Sequence, residues 1–132
     1  PFEERDEIQD VADKYGVYSI YLVAPTSHER IKMIASEAKG FLYIVSSLGV
    51  TGTRKEINTD FDYLLEPLKN GSYCPSCIGF GISDGKQAKK MAAYCDGAIM
   101  GSAVVNIIAE HGVNSPEYVG EFIKNVRTDM DA

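Results

Sequence analysis

The sequence predicts an α/β protein with the architecture of half a (β/α)8 TIM barrel: about four parallel strands with flanking helices, forming one partial domain over residues 1–132. Two observations carry this. Short β-branched and aromatic apolar runs alternate with stretches whose apolar residues recur at i, i+3, i+4, the mark of right-handed βαβ units and a parallel sheet. Glycines gather just beyond the runs, where barrels of about 250 residues and eight strands hold phosphate. A small open sheet of flavodoxin type shares the element order, and the placement of the glycines is what favours the half barrel.

The elements follow in order. Residues 4 to 15 carry Ile8, Val11 and Ala12 on one helical face, with Gly16 as the stop. Val17 to Ala24 (VYSIYLVA) is a short apolar run ending at Pro25, which suits a strand buried on both faces. Thr26 as N-cap and Glu29 three residues on make a capping box before Ile31, Ile34 and Ala35, and Gly40 closes that helix. Phe41 to Ser46 is the second strand, followed by a polar loop from Ser47 to Asn58. Phe61, Leu64, Leu65 and Leu68 then form a helix that Pro67 should bend or shorten before Gly71. Cys77 to Phe80 and Gly97 to Met100 are the third and fourth strands. A helix from about Gly85 to Tyr94, capped by Ser83, lies between them, and Ser102 to Glu110 follows as another. The last helix starts with Ser115 as N-cap, Pro116 at its first position and Glu117 on the positive end of its dipole.

Composition narrows the function classes. With 45% hydrophobic and 24% charged residues, the chain is that of a globular protein able to bury a core. A net charge of −6 argues against nucleic-acid and anionic-membrane partners, which need an excess of Lys and Arg. Any phosphate must therefore be held locally. No apolar run approaches a membrane span, three cysteines do not make a disulfide framework, and a cytoplasmic location is the expectation. The chain opens on a loop-like Pro1-Phe2-Glu3-Glu4 rather than Met, as expected of a piece of something longer.

Three glycine turns fall at predicted strand ends: Gly49-Val50-Thr51-Gly52, Gly79-Phe80-Gly81-Ile82-Ser83 and Gly101-Ser102. Glycine takes positive φ without steric cost and, lacking Cβ, lets backbone N–H groups approach an anion. Ser102 opens a helix, so its N–H, its hydroxyl and the positive helix end can converge on one phosphate.

Phe41-Leu42-Tyr43-Ile44-Val45-Ser46-Ser47-Leu48-Gly49-Val50-Thr51-Gly52, the Gly79 to Ser83 stretch, and Gly97-Ala98-Ile99-Met100-Gly101-Ser102-Ala103 resemble three signature stretches of the tryptophan synthase α subunit, in order over essentially the whole chain. Pro1-Phe2-Glu3-Glu4 resembles that family's loop after its fourth strand, which makes this the C-terminal half. The resemblance implies a lyase of tryptophan biosynthesis that cleaves indole-3-glycerol phosphate to indole and glyceraldehyde 3-phosphate. It implies phosphate binding by Gly52, Gly81, Gly101 and Ser102, and a substrate pocket lined by Leu22, Tyr43 and Phe80, with Thr51 on a mobile closing loop. It further implies a heterotetramer with a β subunit that takes the indole and carries the pyridoxal phosphate, leaving this chain without a cofactor.

The family's catalytic Glu and Asp lie in its N-terminal half, so no catalytic residue is expected here. Glu3 and Glu4 read as partners of a helix dipole, and Ser47 stands where the family often has a basic residue. Cys74-Pro75-Ser76-Cys77 reads as structural: zinc needs about four ligands, and neither Cys95 nor His28 or His111 is placed by sequence to complete them. No metal is expected. Two other readings remain, a non-catalytic phosphate-binding half barrel that pairs with a copy of itself, and another phosphate-sugar barrel enzyme such as an isomerase of the same route.

Overall fold

A computed structural model of the chain describes residues 4–45, 60–68, 73–79 and 81–132. The loop from Ser47 to Asn58, Gly71 and Phe80 lie outside them.

The element order is α1 (Asp6–Lys14), β1 (Leu22–Val23), a 3₁₀ helix (Pro25–Arg30), α2 (Ile31–Glu37), β2 (Leu42–Val45), α3 (Phe61–Leu65) with a 3₁₀ extension (Glu66–Leu68), β3 (Ser76–Gly79), α4 (Gly85–Ala92), β4 (Gly97–Ala98), α5 (Ser102–His111), a 3₁₀ link (Gly112–Asn114) and α6 (Ser115–Asp131). The four strands form one sheet in the order β1-β2-β3-β4. Every neighbouring pair is parallel. This is the arrangement of half a β/α barrel.

Register explains which side of the sheet is buried. Val23, Ile44, Ile78 and Ala98 lie in one cross-strand row. The first three are fully buried, together with Leu42, against Ile31, Ile34 and Ala35 of α2, Phe61, Leu64 and Leu65 of α3, Ala88 and Met91 of α4, and Val126 of α6. The neighbouring row, Leu22, Tyr43, Cys77 and Gly97, points to the other face because strand side chains alternate. Leu22 is 55% exposed there. The expectation of a first strand buried on both faces is therefore corrected: helices cover one face only among the described residues. That strand is also shorter than predicted, since as an edge strand it pairs only with β2.

Helix α1 forms as expected, yet Ile8 and Val11 of its apolar face remain exposed. Polar contacts tie it down instead: Arg5 Nη2 donates to Glu37 Oε2 at 2.7 Å, and Lys39 Nζ lies 3.7 Å from Asp13 Oδ1.

Several predicted helix starts shift by a residue or two. Pro25 already has the φ of a first helical position, so the chain turns before Thr26, and Ser27 Oγ accepts from the Ala24 N–H at 3.1 Å. The cap of α4 is Asp84 rather than Ser83; its Oδ1 accepts from Gln87 N at 2.8 Å. Helix α6 takes Ser115 as its first helical residue, because the 3₁₀ link has already put Asn114 in a helical conformation. Gly112, at φ +53, makes the preceding turn possible. Pro67 shortens α3 as expected, and its last turn is the 3₁₀ extension.

Candidate functional site at the carboxyl edge of the sheet

The described candidates fall into two groups. Gly81 lies two residues beyond the end of β3, and Gly101 and Ser102 three and four residues beyond the end of β4. The two strands are adjacent and parallel, so both turns belong to the carboxyl edge. Leu22 and Tyr43 share one row of the open face, on β1 and β2. Gly52, Thr51 and Phe80 fall outside the described residues.

Gly81 needs to be glycine, since its φ is +82. The turn around it is pinned from three sides: Ile82 is buried in the core, Ser83 N and Oγ donate to Gln87 Oε1 at 2.9 and 3.2 Å, and Asp84 caps α4. The conformation that exposes the backbone at Gly81 is thus set before any ligand arrives.

Two helices start just beyond these turns, α4 and α5, and charge distinguishes them. A helix N-terminus attracts anions through its free N–H groups and its dipole. At α4 this attraction is already answered by the Asp84 carboxylate. Asp129 of α6 adds a second, its Oδ2 only 2.5 Å from where a Cβ on Gly85 would stand. Helix α5 is different. Gly101 precedes it with no side chain bonded to its first turn, and a Cβ there would meet nothing within 4 Å. Val105 N already reaches Gly101 O at 3.0 Å. The N–H groups of the first turn, from Ser102 on, have no carbonyl ahead of them in the helix. Of the two helix starts, α5 is the one suited to a phosphate.

On the open face, the Tyr43 ring crosses Gly79. A Cβ on that glycine would overlap the phenol oxygen and lie 2.6 Å from Cζ. Burial pushes the Tyr43 phenol above its ordinary pKa. The sequence marks Gly79 as a turn residue, whereas in the structure it is the floor beneath Tyr43. Gly79→Ala is therefore expected to evict the ring and cost about 1–3 kcal/mol. The Gly79→Ala cost should largely disappear in a Tyr43→Ala background, and denaturation of the two single variants and the double variant measures that coupling. Additive effects would show that the ring does not lie on Gly79.

Cys74, Cys77 and Cys95 are free, and burial raises all three thiols above the ordinary range, with the nearby Asp96 carboxylate acting in the same direction. Cys95 Sγ donates to Gly97 O at 3.1 Å. A thiol with a raised pKa is protonated at neutral pH, the opposite of what a redox or metal-binding thiolate requires. Alkylation by iodoacetamide is expected to be slow at pH 7 and to accelerate only above the pH at which an unperturbed thiol ionises; rapid reaction at pH 7 would contradict this. Among the described residues, no group of three or more His, Cys, Asp and Glu side chains is placed to hold a metal ion. Nor, among them, is any helix long and apolar enough to cross a membrane.

With strands all running one way, helices on one face and the candidate anion site at the carboxyl edge, the chain is one half of a β/α-barrel protein. The family model for the tryptophan synthase alpha chain matches residues 1–132. The tryptophan synthase alpha chain of Lacticaseibacillus casei is 43% identical over 132 residues, all of this chain and 50% of that protein. That of Thermoanaerobacter sp. (strain X514) is 50% identical over 121 residues, 92% of this chain and 46% of that one. Among solved structures, the alpha chain of Legionella pneumophila subsp. pneumophila aligns with a TM-score of 0.78 at 33% identity, covering 99% of this chain and 49% of that one. A chain of the tryptophan synthase a2b2 complex from Pyrococcus furiosus aligns with a TM-score of 0.77 at 32% identity, covering 97% and 52%. This chain belongs to the tryptophan synthase alpha chain family. It spans about half the length of the curated relatives it matches.

Proposed function

We propose that this chain is the C-terminal half of a lyase of tryptophan biosynthesis, the subunit that cleaves indole-3-glycerol phosphate to indole and glyceraldehyde 3-phosphate, and that it supplies the phosphate site. The observation that carries the reading is the start of α5, where Gly101 and Ser102 stand uncapped beside the positive-φ turn at Gly81. Phosphate bound there would extend the substrate over the open face, towards Tyr43 and Leu22, with Gly52, Thr51 and Phe80 completing the pocket as the resemblance implies. The acid and base belong to the other half of the family's barrel. The indole passes to a β subunit in an α2β2 assembly, as in the tryptophan synthase a2b2 complex of Pyrococcus furiosus. The pyridoxal phosphate is that partner's, and this chain carries no cofactor of its own.

Among the described residues the outer edges of β1 and β4 are unpaired and the face between them is uncovered, which also favours self-association of the chain when it is alone. Sedimentation at micromolar concentration is expected to show species larger than a monomer.

The test is release of indole from indole-3-glycerol phosphate by the purified chain, with and without the separately expressed N-terminal half of a close relative. The chain alone is expected to be inactive and the mixture active, because an acid and a base each contribute about 10²-fold to 10⁴-fold, whereas binding equally strong in ground and transition states does not raise the rate of the chemical step. Turnover by the chain alone would mean that it holds catalytic residues of its own, and an inactive mixture in which the two halves associate would refute the reading.

A further inference from the structure

A cavity of about 360 Å³ opens at the amino edge of the sheet, opposite the turns at Gly81 and Gly101. Its walls are α3 with its 3₁₀ extension and the turn that leads from α4 into β4, and Ser76 at the start of β3 lines it too. We propose that it binds a small organic cation with a flat apolar body, an arylalkylammonium.

Phe61, Leu65 and Leu68 form the apolar side. The Phe61 and Tyr94 rings meet with centroids 5.3 Å apart at a tilt of 38°, an aromatic corner of the kind that receives another ring or a cation. The volume lies within the range of small-molecule sites.

The charge in the lining has one sign. Asp62 and Asp96 are its ionisable carboxylates, and no Lys, Arg or His is among the described lining residues. Asp96 is held in place through one oxygen: its Oδ2 accepts from Ser76 N at 2.8 Å and from Ser76 Oγ at 3.2 Å. Its Oδ1 takes no hydrogen bond from the described residues and can accept one from an ammonium. A carboxylate already oriented by the backbone needs little reorganisation to do so. An anionic ligand would meet repulsion from the Asp96 carboxylate. This cavity and the anion site at α5 therefore lie at opposite edges of the sheet and select opposite charges.

The experiment titrates phenethylammonium, 2-phenylethanol and 3-phenylpropionate into the chain, following the Phe61 and Tyr94 ring signals by NMR. The cation is expected to bind with a dissociation constant at least about tenfold below that of the neutral alcohol, the measure of one charge-assisted hydrogen bond, and the carboxylate more weakly than either. Inorganic phosphate should not displace the cation. In Asp96→Asn, whose amide oxygen can still accept from Ser76, the advantage of the cation over the alcohol should vanish. Equal binding of cation and alcohol by the unaltered chain, displacement by phosphate, or an undiminished preference in a folded Asp96→Asn variant would overturn the proposal. The comparison of the three ligands needs no variant and is independent of the lyase reading.

Discussion

Ile44→Ala is expected to destabilise the chain by about 2–5 kcal/mol. Ile44 is 0% exposed and sits at the centre of the helix-facing row, between Val23 of β1 and Ile78 of β3. Removing its outer carbons takes away the transfer free energy of the lost atoms and leaves a cavity, because three strands and the α2–α3 layer cannot all close on one point. A domain of this size is stable by only about 5–15 kcal/mol in total. Urea denaturation should show a lower midpoint with an unchanged slope. Leu22→Ala on the open face, by contrast, is expected to change stability by no more than about 0.5 kcal/mol. Equal effects of the two substitutions would mean that the core does not lie on the helix side.

Ser102→Ala is expected to weaken binding of a phosphate-bearing ligand by about 1.5–3 kcal/mol, roughly tenfold to more than a hundredfold, in a protein completed by the other half of the barrel. The hydroxyl of Ser102 is a donor at the first helical position of α5, and the bond it would make is to a charged group. Alanine preserves the helix, so circular dichroism should not change. Gly81→Val should act more strongly still. It forces a β-branched residue into φ +82 and sets methyl groups where the backbone would meet the anion. Calorimetric titration with glycerol phosphate reads both variants, and unchanged affinity in both would move the phosphate elsewhere.

The parallel sheet with flanking helices was legible because short β-branched runs alternate with helical periodicity, whereas the single buried row of Val23, Ile44 and Ile78 was not, since a run apolar throughout does not show which of its faces the helices cover. Pro67 announced its own effect on α3. What escaped was the choice among neighbours with the same capacity. Ser83 and Asp84 can both cap a helix, and only the geometry that sends Ser83 to the Gln87 side chain leaves Asp84 facing the Gln87 N–H. The spacing of Asp84 and Gln87, three residues apart, was the available signal. The carboxylate of Asp129 beside Gly85 could not be read at all, because it depends on how α6 crosses α4. The glycines themselves were visible, but the residue each one accommodates was not. Tyr43 over Gly79 is a contact between different strands.

The placement of α6 braces two other parts of the structure at once. Asp129 presses on the first turn of α4, Val126 enters the core, and the short link from Gly112 to Asn114 turns the chain from α5 into α6. The last turns of α6 thus bear at once on the start of α4 and on the core, like a wedge set in a joint. Shaving the last helical turn is expected to loosen the start of α4 while the sheet still stands.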